Sequence, residues 1–243
     1  MSGTPILLEV CVDDPVGLAA AIEGGADRIE LCAALSIGGL TPTFGLMIEA
    51  AETGVPVMAM IRPREGGFAV SAEERGVMLK DIEAARDAGL AGVVFGASLA
   101  DGRLDRDTLA FLRDAAGDLD VTLHRAFDLV PDAEAALETA IEIGIPRILT
   151  SGQTPSVMDG LPRIADLVRA ANSRLVIMPG AGVTPDNAAE IAKATGASEI
   201  HTSGGETVTN TDPALARFGF APERVKRTSA ARISATRAAL NDM

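Results

Sequence analysis

Short apolar runs alternate with longer amphipathic stretches along the whole chain, separated by joints rich in proline, glycine and aspartate. The apolar runs predict strands over 6–12 (ILLEVCV), 28–32 (RIELC), 56–63 (PVMAMIRP), 92–97 (GVVFGA), 121–127 (VTLHRAF), 147–152 (RILTSG), 175–182 (LVIMPGAG) and 199–203 (EIHTS). Most carry Val, Ile or Leu on both faces, as parallel strands covered on both sides do. The stretches between them carry helix signals. Asp14-Pro15 reads as an N-cap with proline at the first helical position, and Thr41-Pro42 and Thr184-Pro185 repeat the device. Ser71 with Glu74 three residues on is a capping box. Met78, Ile82 and Ala85 share one helix face, as do Leu161, Ile164, Leu167 and Val168. Gly24-Gly25, Gly89, Gly144 and Gly196 close helices, and 229–240 predicts a last helix with Ile233, Thr236 and Leu240 inward.

Eight β-then-α units follow one another without a linker or low-complexity segment. That order predicts one domain over residues 1–243, a (β/α)₈ TIM barrel with an extra C-terminal helix. The rival, a doubly wound open sheet, lacks its G-x-G-x-x-G fingerprint: the first strand leads into CVDDPVG. The length of 243 residues suits a single barrel.

Strand side chains alternate between faces. Ile6, Leu8 and Val10, then Ile29 and Leu31, make faces suited to the helix ring. The other parity therefore points to the barrel axis. It carries Leu7, Glu9 and Cys11; Arg28, Glu30 and Cys32; Met58, Met60 and Arg62; Thr122 and His124; and Glu199, His201 and Ser203. Buried carboxylates need partners, and the parity predicts a Glu9–Arg62–Glu30 bridge or a cation held by the surplus negative charge. Several of these groups lie towards the C-terminal ends of the strands, the catalytic face of such barrels. Both histidines of the chain fall near strand ends. The glycine turns MPGAGVTPDN (178–187) and HTSGGET (201–207) suit phosphate binding through backbone N–H groups, or simply tight strand-to-helix turns.

Composition narrows the function. A net charge of −13 and the absence of Tyr and Trp argue against nucleic acid. The start MSGTPILLEV has no basic region ahead of its apolar residues, and no apolar run is long enough to cross a bilayer. Two cysteines without a secretory signal predict a reduced, cytoplasmic protein with no membrane partner.

The motifs LLEVCVDD, GADRIELCAALSIGGLTPT, MIRPR, LHRAFD, RILTSGQ, MPGAGV and EIHTS, in this order, resemble the CutC-type copper homeostasis family over about residues 5–205. The resemblance implies a TIM barrel that assembles as a homodimer or homotetramer, with copper bound by cysteines at the positions of Cys11 and Cys32. By motif it carries over Glu9, Glu30, Arg62, His124, Arg125, Asp128, Ser151, Gly180, Gly182, His201 and Ser203. The third loop departs from the family's R-P-R-G-G-D-F followed by tyrosine: here Glu65 replaces glycine, Gly67 replaces aspartate and Val70 the tyrosine.

Two functions result. One is a copper(I)-binding homeostasis protein that uses Cys11 and Cys32, taken to lie at equivalent points of neighbouring strands about 4.8 Å apart. The alternative is an enzyme (isomerase, lyase or hydrolase) acting on a small polar or phosphorylated metabolite. Its catalytic set would be Glu9, Glu30, Arg62, His124, Asp128 and His201, with Arg125, Ser151, Gly152, Gly180, Gly182 and Ser203 binding substrate or phosphate.

Overall fold

The apolar runs pair side by side, all parallel, in the order β7-β6-β5-β4-β3-β2-β1-β8. The strands are β1 (Leu7–Val12), β2 (Arg28–Leu31), β3 (Val57–Met60), β4 (Gly92–Phe95), β5 (Asp120–Leu123), β6 (Arg147–Thr150), β7 (Val176–Pro179) and β8 (Glu199–Thr202). Each from β1 to β7 is followed by its helix: α1 (Pro15–Glu23), α2 (Phe44–Ala51), α3 (Ala72–Asp87), α4 (Arg106–Ala116), α5 (Ala133–Ile143), α6 (Leu161–Ala171) and α7 (Ala188–Thr195). The coordinates, a computed structural model, describe residues 5–210 and 212–243. The one-domain expectation over 1–243 thus includes residues 1–4 and 211, which lie outside the described residues. Among those described, no helix is long and apolar enough to cross a membrane.

β7 and β8 lie against each other without a ladder, and the side chain of Thr202 closes the seam by donating to the Val183 carbonyl at 3.0 Å. Beyond β8 the chain makes a two-stranded antiparallel ribbon, β9 (Gly205–Thr209) and β10 (Arg224–Thr228), around a short α8 (Pro213–Arg217). The sequence pattern missed this ribbon because GETVT and RVKRT are short, polar and largely exposed. The C-terminal helix α9 (Ala230–Asn241) then packs against both α1 and α7 and takes the eighth place in the ring.

Local chemistry explains the helix starts. Asp14 caps α1 by accepting from the Gly17 N–H, with Pro15 in the first turn. Ser71 and Glu74 make both bonds of the capping box on α3. Two expected caps fall elsewhere. Thr43, not Thr41, caps α2; Thr41 instead accepts from the Arg62 N–H and donates to Asp81. Thr184 opens a turn, and α7 begins only after Asn187, whose side chain accepts from the Thr184 N–H.

Leu8, Val10, Ile29, Leu31, Val57, Val93, Phe95, Val121 and Ile148 are buried against the helices in one continuous core. The inner face holds a smaller apolar cluster of Cys32, Met58, Met60 and Val94. Beside it runs a chain of buried ion pairs. Arg28 bridges Glu9 and Glu199, each at 2.5 Å. Arg147 bonds the same Glu199 at 2.7 Å and Asp120 at 2.9 Å. The expected Glu9–Arg62–Glu30 bridge does not form. Register sets Arg28 directly beside Glu9, whereas Arg62 follows the end of β3 and turns to the carbonyls of Ile37, Gly39 and Gly66.

Removing one partner from a buried pair strands the other charge in a dry interior. Arg28→Met is expected to lower unfolding free energy by about 3–5 kcal/mol in urea titration. Arg103→Met, which breaks the exposed pair with Asp101, is expected to leave the midpoint unchanged. Equal midpoints for Arg28→Met and wild type would show that the ionic chain does not stabilise the barrel.

Candidate functional site at the barrel mouth

Above the ion pairs the strands open into a cavity of about 490 Å³. Cys11, Glu30, Arg62, His124, Arg125, Gly182, His201 and Ser203 line it, so eight of the expected site residues converge there. Glu9 lies beneath, fully buried. The loops after β7 and β8 add Thr184 and Gly205, while Lys226 and Arg232 come from the ribbon and α9.

Glu9 connects the ionic core to the cavity floor. One oxygen takes Arg28; the other meets His201 Nδ1 at 2.8 Å. Burial alone would raise the Glu9 carboxyl, but the bond to His201 and the charge of Arg28 outweigh it and hold the group down at about 2. The fixed Nδ1 leaves Nε2 to face Glu30, whose carboxylate lies 3.9 Å away. Burial opposes charge on His201 as well, yet Cys11, Glu30 and Glu9 together push the imidazole well above its ordinary value. Glu30 goes the opposite way from Glu9. Burial and the Glu9 charge raise it, and its Oε1 has no hydrogen-bond partner among the described residues.

The two cysteines are not equivalent. Register sets Cys11 beside Glu30, with Cys32 two residues further along β2's course, which corrects the expectation of directly neighbouring thiols. Cys11 Sγ, a Glu30 oxygen and a His201 nitrogen all lie within 4.8 Å of one another, a spacing at which three groups can share one ion. Cys32 is fully buried, its Sγ 3.7 Å from Glu30 Oε2. Burial and the nearby Glu30 charge push its thiol well up.

His124 occupies the other side. Its Nδ1 accepts from the Ala126 N–H at 3.1 Å, which puts the ring proton on Nε2. The ring packs on Phe68 with centroids 4.8 Å apart. A Cβ on Gly96 would collide with this ring, so glycine there is what lets His124 lie flat against β4. Burial, reinforced by the Arg62 charge, lowers His124 to about 4.

Asp128, Ser151, Gly152 and Gly180 do not line the cavity. Asp128 accepts from Arg125 at 2.7 Å and from Thr150, Ser151 and Gln153, so it ties the ends of β5 and β6 together and holds Arg125 in place. A Cβ on Gly152 would meet the Gly160 carbonyl at 2.6 Å, and one on Gly180 would meet Leu149 at 2.6 Å and the His201 ring at 3.4 Å. Both glycines therefore serve close packing, Gly180 beneath His201. Sequence reasoning missed Arg147 and Asp120 in the ionic core and Lys226 and Arg232 at the rim. Arg147 shares strand parity with Leu149 and Ser151, so alternation alone would have turned it inward.

A (β/α)₈ barrel with a buried Cys/Glu/His cluster at the C-terminal ends of its strands defines a class: TIM barrels that group metal-ligating side-chain types at the mouth. The family is also identified. The model of the CutC family matches residues 6–206, and the chain belongs to that family. CutC family proteins of Sinorhizobium medicae and Caulobacter vibrioides are 52% and 51% identical, with 97% and 96% of this chain covered and 96% of each relative. The solved structure of CutC from Streptococcus agalactiae, named as a candidate copper homeostasis protein, superposes with a TM-score of 0.78 at 32% identity, over 82% of this chain and 98% of that one. Thiamine phosphate pyrophosphorylase from Pyrococcus furiosus, at TM-score 0.60 and 15% identity over 98% of this chain and 97% of its own, shares the fold.

With only two histidines in the chain, two separable NMR signals are expected. His124 is expected to titrate near pH 4 and His201 to stay protonated well above the ordinary 6.5. As pH falls from 6.5 towards 4, the unfolded chain takes up a proton that folded His124 refuses. Its contribution to stability is therefore complete above pH 6.5 and declines below it. Two signals titrating together near 6.5 would contradict both environments.

Proposed function

We propose that the chain serves copper homeostasis by holding copper(I) at the barrel mouth, between Cys11 Sγ and His201 Nε2, the ion displacing the protons that the thiol and Nε2 carry in the metal-free protein. The observation that carries this reading is the buried cluster of Cys11, Glu30 and His201. Thiolate and imidazole suit a soft, low-coordinate ion, and Glu30, raised by burial, is a weaker ligand beside them. Glu9 supports the arrangement by fixing the far nitrogen of His201, the usual role of a carboxylate behind a metal-binding imidazole. Cys32 acts from behind, through its hydrogen bond to Glu30. Both cysteines are free, which suits a reducing, cytoplasmic setting.

Anaerobic titration of reduced protein with copper(I) against a competing chelator tests this. One-to-one binding is expected, weakened more than about 100-fold by Cys11→Ser and about 10-fold by Cys32→Ser. Binding unchanged in Cys11→Ser would overturn the assignment.

The size of the cavity favours a second reading. About 490 Å³ is far more than one ion needs and falls in the range of small-molecule sites. In this reading the chain is an enzyme acting on a small polar metabolite. Glu30 donates a proton as general acid, neutral His124 donates a hydrogen bond from Nε2, and Arg62 and Arg125 hold anionic groups. Glu30→Gln is expected to abolish depletion of that metabolite from a cell-extract pool, followed by mass spectrometry, while melting stays native. Equal depletion by the variant would remove Glu30 from the chemistry.

A further inference from the structure

Charge is unevenly placed in this protein. The chain has 34 acidic and 21 basic residues. Around the mouth the balance reverses: Arg62, Arg125, Lys226 and Arg232 line the cavity against Glu30 alone. Arg125 is neutralised by Asp128. The other three have no carboxylate partner among the described residues. Arg62 donates only to neutral carbonyls, and its Nε is buried without an acceptor. Arg232 Nε is likewise buried and without an acceptor. A guanidinium N–H shut away from water with nothing to bond carries an uncompensated desolvation cost. Two such groups on one cavity are accounted for if the acceptor is a ligand.

Lys226 and Arg232 belong to the part of the chain beyond the (β/α) repeats. Lys226 stands on β10, and Arg232 is in the first turn of α9. That turn is anchored to the cavity rim, where the Ser229 N–H donates to the Gly204 carbonyl at 3.1 Å. No side chain caps α9, so its first N–H groups keep their partial positive charge. Across the rim lies the loop after β7, where the N–H groups of Gly182 and Val183 donate to no described residue. Two cationic side chains and uncommitted N–H groups from two loops match an acceptor with several oxygens and more than one negative charge.

We propose that the mouth contains an anion subsite for a phosphate monoester, formed by Lys226, Arg232 and the loop after β7. Arg62, on the far side, adds to the attracting field. The subsite does not need an ion at Cys11, and it makes the ribbon and α9 part of the ligand site as well as of the fold.

Inorganic phosphate is the probe, titrated calorimetrically into metal-free protein at ionic strength held constant with chloride. Saturable one-site binding is expected. It should weaken about 10-fold or more in Lys226→Met/Arg232→Gln and stay within about 3-fold in Arg232→Lys, which keeps the charge. Lys226→Met alone alters an exposed side chain, so its weakening, with native circular dichroism, is read without concern for folding. Absence of saturable binding, or equal binding by wild type and the double variant, would overturn the subsite. The copper titration is run without phosphate, so the failure of one leaves the other readable.

Discussion

The position of Arg28 between Glu9 and Glu199 is the constraint on which the rest of the barrel interior depends. A guanidinium on the axis of a closed sheet is tolerated only with charge on both sides. Glu199 is shared with Arg147, which reaches Asp120, so side chains from β1, β2, β8, β6 and β5 form one connected set. Apolar residues hold the strands to the helices from outside; ionic and hydrogen bonds hold them to each other inside. Directional bonds fix positions more tightly than apolar contact does, and the mouth rests directly on this layer.

Glu9 transmits that order upward. Kept ionised by its bond to His201 and by the Arg28 charge, it holds His201 by one nitrogen and leaves the other facing Cys11 and Glu30. The same negative charge raises Glu30. Two carboxylates one strand apart thus go in opposite directions: partners hold Glu9 charged, while burial, with the Glu9 charge, pushes Glu30 towards retaining its proton. On the opposite side His124 is kept neutral by burial and by Arg62. Glu30 and the neutral, Nε2-protonated His124 thus line one cavity, beside a thiol suited to a soft metal.

The barrel was legible in the chain because its strands are apolar on both faces and its joints carry Gly, Pro and Asp at turn positions. Parity also brought Glu9, Cys11, Glu30, His124 and His201 to the mouth. Partners were harder to read. Parity says that Arg28 and Arg62 face inward but not how deep each lies, and depth decided that Arg28, not Arg62, meets Glu9. The pairing of Cys11 with Glu30 depends on a stagger between strands that alternation alone does not reveal. Thr41 lost its expected cap to Thr43 because its side chain is committed to Arg62 and Asp81. The ribbon was hidden because its strands have almost no buried face.

The packing of α9 against both α1 and α7 has a consequence for how the chain folds. α9 joins the first helix to the seventh, and Arg237 on it bonds the Ile6 carbonyl at the foot of β1. The ring is therefore sealed by contacts separated by more than 200 residues, the slow kind to form. Until α9 docks, the faces of α1 and α7 that it covers stay open to other chains, a form that aggregates and that chaperones engage.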